Sequence, residues 1–136
     1  MSANDLSQDV KDFIFQYIDS VEQLEVFLLL SSDPNKIWSS AEISATLRSN
    51  SNSVEKRLNQ LLVHQLVEVI ATPESRYRLN QKNENVQKMI LQLSDAYKMH
   101  RHNILQMIFS PMKKSRDFAE AFRIGSSKDP KGGDNA

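Results

Sequence analysis

Apolar residues recur at helical spacing in the first part of the chain. Residues 4–19 predict an amphipathic helix, because apolar side chains follow one another at intervals of three and four. A second helix is predicted from Ser20, which precedes Gln23 by three residues as in a capping box, and it ends before Pro34. The apolar positions of these two helices are Val10, Phe13, Ile14, Tyr17, Ile18, Leu24, Phe27, Leu28 and Leu30.

Two further helices are predicted in the middle of the chain, separated by a short polar turn. Ser39 and Glu42 form a capping-box pair, so a helix begins at this point. Asn52 and Glu55 form a second pair, which predicts a helix over residues 52–64. The apolar stripe of this helix consists of Val54, Leu58, Leu61 and Leu62.

The period of the apolar positions changes from helical to alternating after residue 66. Residues 67–71 and 76–79 alternate, and the segment between them contains Pro73, which predicts a small β-hairpin. A two-stranded hairpin is only marginally stable in water. We therefore expect its apolar side, with Tyr77 and Leu79, to pack against the helices.

The last third of the chain predicts one long helix and one short helix. Asn83 is the predicted N-cap of a helix over residues 84–109, Pro111 interrupts it, and residues 115–124 are amphipathic. The predicted fold class is mainly α with a small β-hairpin. The predicted units are an N-terminal helix at 1–19, a central domain at 20–80, C-terminal helices at 81–124 and a disordered tail at 125–136.

Composition excludes several kinds of chemistry. The 136 residues fit one domain with its own core, and the absence of cysteine excludes disulfides, zinc–thiolate sites and thiol catalysis. His64, His100 and His102 lack the spacing of metal ligands on a helix, and no glycine-rich phosphate loop is present. We therefore expect neither an enzyme nor a metal or other cofactor.

Hydropathy and charge limit the location and the partners. No apolar run is long enough for a membrane span and the first twenty residues are acidic, so we expect a cytoplasmic protein that does not bind membranes. Residues 1–33 contain one basic and seven acidic residues, a net charge of −6. Residues 34–80 contain six basic and four acidic residues, a net charge of +2, and residues 81–136 contain ten basic and six acidic residues, a net charge of +4. Such a gradient suits an anionic partner, and it equally suits attraction between neighbouring helices.

The order of the predicted elements carries a family resemblance. Two helices, a tight turn, a third helix and a hairpin follow one another within residues 21–79. This order, with two capped helices and the Leu61–Leu62 pair at the end of the second, resembles the winged helix-turn-helix regulators of the MarR-like kind. The resemblance implies that the third helix of the domain enters the major groove of double-stranded DNA and that the hairpin, or wing, lies along the phosphates.

The predicted DNA-binding residues lie on this third helix and beside it. Asn59 and Gln60 carry amides that can bridge adenine N6 and N7, and Lys56 can reach guanine or a phosphate. Any amphipathic helix of a soluble protein exposes such residues to water. The alternative interpretation is therefore that these residues form only the solvent-exposed side of the helix. The full predicted set is Arg48, Ser51, Asn52, Ser53, Lys56, Asn59, Gln60, Arg76 and Arg78.

The C-terminal helices have two interpretations. They pack back on their own domain, or they pair with a second copy in a homodimer, which is common in proteins of the resembled family and is our expectation. The predicted dimer residues are Val86, Ile90, Leu93, Tyr97, Ile104, Ile108, Phe118 and Phe122. The alternative function is a protein-interaction adaptor, in which a winged helix without DNA binding contacts a protein partner.

Overall fold

The computed structural model describes residues 6–71 and 74–110, and these form helices and one small sheet. The fold class predicted from the sequence, mainly α with a small β-hairpin, is confirmed. The predicted helix at 115–124 and the predicted tail at 125–136 lie outside the described residues. The helices are α1 (Gln8–Tyr17), α2 (Val21–Ser32), α3 (Ser40–Leu47), α4 (Ser51–Val63), α5 (Glu84–Met99) and α6 (Arg101–Ile108), and the strands are β1 (Trp38–Ser39), β2 (Val67–Ala71) and β3 (Arg76–Leu79).

Side-chain caps start the helices of the central domain. The capping box at α3 is complete: Glu42 N donates to Ser39 Oγ at 3.1 Å, and Ser39 N donates to Glu42 Oε1 at 2.9 Å. The hydrogen bond from the Ser39 N–H favours the charged form of the Glu42 carboxyl and so lowers its pKa. Ser20 caps α2, but buried Gln23 accepts from Asp19 N at 2.7 Å and donates to Tyr17 O at 2.9 Å. This glutamine therefore closes the junction between α1 and α2.

The first turn of α4 differs from the prediction. The helix begins at Ser51, and its N-cap is Asn50, whose Oδ1 accepts from Asn52 N at 2.8 Å and from Ser53 N at 3.2 Å. The predicted capping pair of Asn52 and Glu55 is wrong. The reason is that Asn50 is an equally good cap residue two positions earlier, and its Oδ1 accepts from the backbone N–H groups of Asn52 and Ser53 in the first turn.

The sheet has one strand more than the sequence predicted. β2 and β3 form the predicted hairpin, and β1 adds to β3, with Trp38 opposite Tyr77 and Ser39 opposite Arg76. β1 has only two residues, so it carries no alternation of its own in the sequence. Tyr77 and Leu79 are buried, as expected of the inner side of the hairpin.

The predicted long helix over 84–109 is wrong in one respect, because it breaks at His100. This residue has φ −134° and ψ 41°, and α6 resumes at Arg101. Both α5 and α6 pack against α1, so the break lets two helix segments turn their apolar sides toward the same neighbour. A helical layer of α1, α5 and α6 thus flanks the domain formed by α2, α3, α4 and the sheet. No helix within residues 6–71 and 74–110 is long and apolar enough to cross a membrane.

The predicted dimer residues of α5 and α6 are buried or partly buried within the chain, and their role in a dimer stays a prediction. Tyr97 is partly buried. Phe118 and Phe122 are outside the described residues. The other residues of this set are buried in the core cluster of the chain, and both α5 and α6 contact α1. These buried residues are Val86, Ile90, Leu93, Ile104 and Ile108.

Candidate nucleic-acid interface

One side of α4 packs into the core and the opposite side is open. Val54 and Leu58 are fully buried, with the inward direction that the sequence predicted. At 100° per residue, the open side is centred about 180° from Val54 and takes in residues within about 40° of that direction. None of the polar side chains on this outward face is hydrogen-bonded or ion-paired with another residue in ranges 6–71 and 74–110. The outward face consists of Asn52, Lys56, Asn59 and Val63.

One flank of α4 is attached to α3. Ser40 Oγ donates to Glu55 Oε2 at 3.1 Å, and the hydroxyls of Ser44 and Ser51 lie 3.4 Å apart. Glu55, assigned to a cap from the sequence, therefore joins the two helices instead. Ser51 remains exposed beside its partner.

The other flank of α4 is attached to α2 through one carboxylate. Glu22 Oε1 accepts a hydrogen bond from Ser53 Oγ and another from Arg57 Nε at 2.8 Å. The side chains of Glu22 and Arg57 are each only 22% exposed. Partial burial alone raises the pKa of Glu22, but the hydrogen bonds from Ser53 and Arg57 and the guanidinium charge outweigh burial and lower it. This carboxylate is therefore ionised at neutral pH.

Glu22 is a residue that sequence reasoning missed. Its position in the first turn of α2 is already explained by the favourable interaction of an acid with a helix N-terminus. Its partners are 31 and 35 residues further along the chain. No local pattern could join them, and only the packing of α2 on α4 brings them together.

The turn between α3 and α4 presents one exposed cation. Arg48 ends α3 in the left-handed region, with φ 57° and ψ 45°, and Ser49 N bonds back to Ser44 O at 2.9 Å. Glycine fits this position with less strain than arginine. The Arg48 side chain is exposed, and no hydrogen bond or ion pair within the described residues engages it.

The two wing arginines are paired with carboxylates. Arg78 donates to Glu68 Oε2 through Nη2 at 2.9 Å and through Nε at 3.2 Å, and its side chain is 25% exposed. Arg76 Nη2 lies 3.7 Å from Glu74 Oε1. Both arginines lie on one side of β3 and Tyr77 lies on the other. The wing therefore carries little free positive charge at these positions.

The predicted DNA-binding residues thus form two groups. The side chains of the free group are exposed and contact no described partner through a hydrogen bond or ion pair. This group consists of Arg48, Asn52, Lys56 and Asn59. The remaining residues have partners within the chain. These are Ser51, Ser53, Gln60, Arg76 and Arg78, of which Gln60 accepts a long 3.5 Å contact from Arg57.

Comparison with known proteins gives structural neighbours only. No protein-family model and no curated protein matches the chain. A mutant of S. aureus MepR bound to an oligodeoxyribonucleotide is 15% identical, with 88% of this chain and 87% of that chain covered and a TM-score of 0.51. A second MepR mutant, from a multidrug-resistant S. aureus clinical isolate, is 14% identical, with 88% and 86% covered and the same TM-score of 0.51. Wild-type apo MarR from E. coli is 9% identical, with 86% of each chain covered and a TM-score of 0.48.

These neighbours bear on the fold. At such identities, the two MepR structures show that the chain shares their fold, and they say nothing about which residues act. The winged helix-turn-helix resemblance to MarR-like regulators is thereby confirmed at the level of the fold. In this chain α3 and α4 form the helix-turn-helix pair, and β2 and β3 form the wing.

Proposed function

We propose that the protein binds double-stranded DNA through the outward face of α4 and acts as a transcriptional regulator rather than as an enzyme. The observation that carries the proposal is the difference between the flanks of α4 and its outward face. Both flanks are attached to neighbouring helices, while the outward face keeps polar groups that no other described residue engages. The first MepR mutant, which has the same fold, is bound to an oligodeoxyribonucleotide, and this supports the proposed use of the fold.

Each free side chain has a role that suits its chemistry. Asn59 reads adenine, because its amide donor and acceptor match N6 and N7 in the major groove. Lys56 contacts a phosphate or guanine, and Arg48 contacts a phosphate beside the helix-turn-helix. Arg78 is a weaker phosphate ligand than the sequence suggested, because it must first leave the Glu68 carboxylate. Arg76 is weakened less, because its pair with Glu74 is longer and exposed.

We expect DNA binding to depend on salt with a modest slope. Arg48 and Lys56 are the two cations of the proposed interface that no other described residue pairs with. They predict a slope of log affinity against log salt near −2 for one chain and near −4 for two, since each neutralised phosphate contributes about −0.9. The measurement is fluorescence anisotropy of a labelled duplex of about 30 base pairs, three helical turns, across a salt series. Two duplexes are compared. One has a mixed sequence, and the other is the duplex that binds most tightly in a selection from a random pool, called the selected site.

A slope in this range supports the proposal. A lack of binding at low salt contradicts it and favours the protein-adaptor alternative, for which the neutralised wing is the supporting observation. A slope of about −7 for two bound chains corresponds to four cations per chain, and it means that the wing arginines leave their carboxylates and reach phosphates as well.

The regulator is further proposed to be a homodimer that uses the helices of residues 81–124. The support is apolar surface that α1 does not cover: Leu91 is 69% exposed, Met99 76% and Phe109 59%. Exposed apolar side chains that form one patch tend to be buried in an interface. Two copies would present two α4 helices to a DNA site with two-fold symmetry.

Sedimentation velocity tests the dimer. We expect a species of twice the 15.6 kDa chain mass, and we expect Met99→Lys to weaken it by placing a charge in an apolar contact. Val63→Lys is the control, because Val63 is 77% exposed and lies on α4. A species of single-chain mass at every concentration contradicts the dimer.

A further inference from the structure

The contact between α2 and α4 uses groups that are well suited to bind phosphate. Ser53 offers a hydroxyl near the helix N-terminus and Arg57 offers a guanidinium, and both donate to one oxygen of Glu22. A carboxylate and a phosphate accept such hydrogen bonds in the same way. Glu22 therefore occupies, from inside the protein, the donors that would otherwise be available to a DNA backbone.

The position of the two donors makes this contact a fixing point for the helix. Ser53 and Arg57 are four residues apart, so they lie one above the other on the same flank of α4. The α3 flank is held by Glu55 on the opposite side. Together with the buried Val54 and Leu58, the two flank contacts set the rotation of α4 about its axis, and with it the direction in which Asn59 points.

We propose that Glu22 is a positioning residue that gives the protein its DNA sequence specificity, by fixing the rotation of α4 and by keeping Arg57 off the phosphates. This inference rests on the proposed function. Arg57 has no role in DNA affinity while the carboxylate holds it. Once freed, it adds an attraction to phosphate that does not distinguish sequences.

Glu22→Gln tests the proposal, because glutamine keeps the size and one acceptor oxygen but removes the charge. We expect the ratio of affinities for the selected site and the mixed-sequence duplex to fall by about tenfold, the size of one good base contact. We also expect the salt slope on the mixed-sequence duplex to steepen by about 0.9, the value for one added phosphate contact.

Glu25→Gln is the matched control. It lies on the same helix, makes the same change in net charge, and has no described partner. The double variant Glu22→Gln with Arg57→Gln is expected to return the slope to the wild-type value while the affinity ratio stays low. Identical slopes and ratios for Glu22→Gln and Glu25→Gln overturn the proposal.

Arg57→Gln alone gives a second, independent measurement, which does not need the Glu22 variant to fold. We expect a lower affinity ratio with an unchanged slope, because Arg57 does not touch DNA in the wild type. A slope shallower by about 0.9 overturns the proposal, since it means that Arg57 already neutralises a phosphate. Failure of the proposed function is seen separately, as absence of salt-dependent binding by the wild type.

Discussion

Replacing Val54 by alanine is expected to lower the free energy of unfolding by about 2–3 kcal/mol, from the loss of two buried methyl groups and the cavity left behind. Val54 is fully buried on the inward side of α4, within the core cluster. The measurement is urea unfolding followed by circular dichroism, at one protein concentration for all variants.

The same substitution on the other side of the helix is the control. Val63 is 77% exposed on α4, so Val63→Ala changes helix propensity equally but removes no core contact. We expect the free energy of unfolding to stay within about 0.5 kcal/mol of the wild type. Equal effects of the two substitutions would mean that α4 does not pack with Val54 inward.

Two substitutions on the outward face are expected to weaken DNA binding in different ways. Asn59→Ala removes a base contact, so affinity for the selected site falls by about 1–3 kcal/mol while affinity for a mixed-sequence duplex stays nearly the same. Lys56→Ala weakens both duplexes alike and makes the salt slope shallower by about 0.9 if it contacts a phosphate. The double variant is expected to lose both preference and affinity.

Matched controls exist on α5. Asn85→Ala and Lys88→Ala remove the same two residue types from exposed positions outside the winged domain. Neither is expected to change affinity or slope in the DNA titration. The interface is wrong if the α5 variants weaken binding as much as the α4 variants do.

Local signals in the sequence predicted most of the helix-turn-helix and the wing. Ser39 and Glu42 are three residues apart, and the hydrogen bonds that join them form within one helical turn, so the start of α3 could be predicted. The hairpin was predicted because alternation over 67–71 and 76–79 is also local. The buried side of α4 was predicted from the spacing of Val54 and Leu58.

Features that depend on tertiary contacts were not predicted. β1 forms only because β3 offers it a partner. The helix breaks at His100, and the segments on both sides of the break pack on α1. The pairing of Arg78 with Glu68 depends on strand register, since the two residues lie opposite each other on neighbouring strands.

The candidate site was predicted as a set of residue types. The structure divides this set into residues that are available to DNA and residues that are held by partners within the chain. Lys56 and Asn59 remain available, whereas Ser53 is held by Glu22 and Arg78 by Glu68. The sequence could not make this distinction, because the acids that hold Ser53 and Arg78 lie on other elements. The charge available for DNA is therefore smaller than a count of basic residues indicates.

The most direct test of DNA binding by α4 is a two-dimensional NMR titration of labelled protein with the selected site. The largest shift changes are expected in the side-chain amides of Asn52 and Asn59, in the methyl groups of Val63, and in the backbone amide of Lys56. Signals of Asn85 and Lys88 on α5 are expected to stay where they are. Changes confined to α5 and α6, or none at a saturating amount of DNA, would contradict DNA binding through α4.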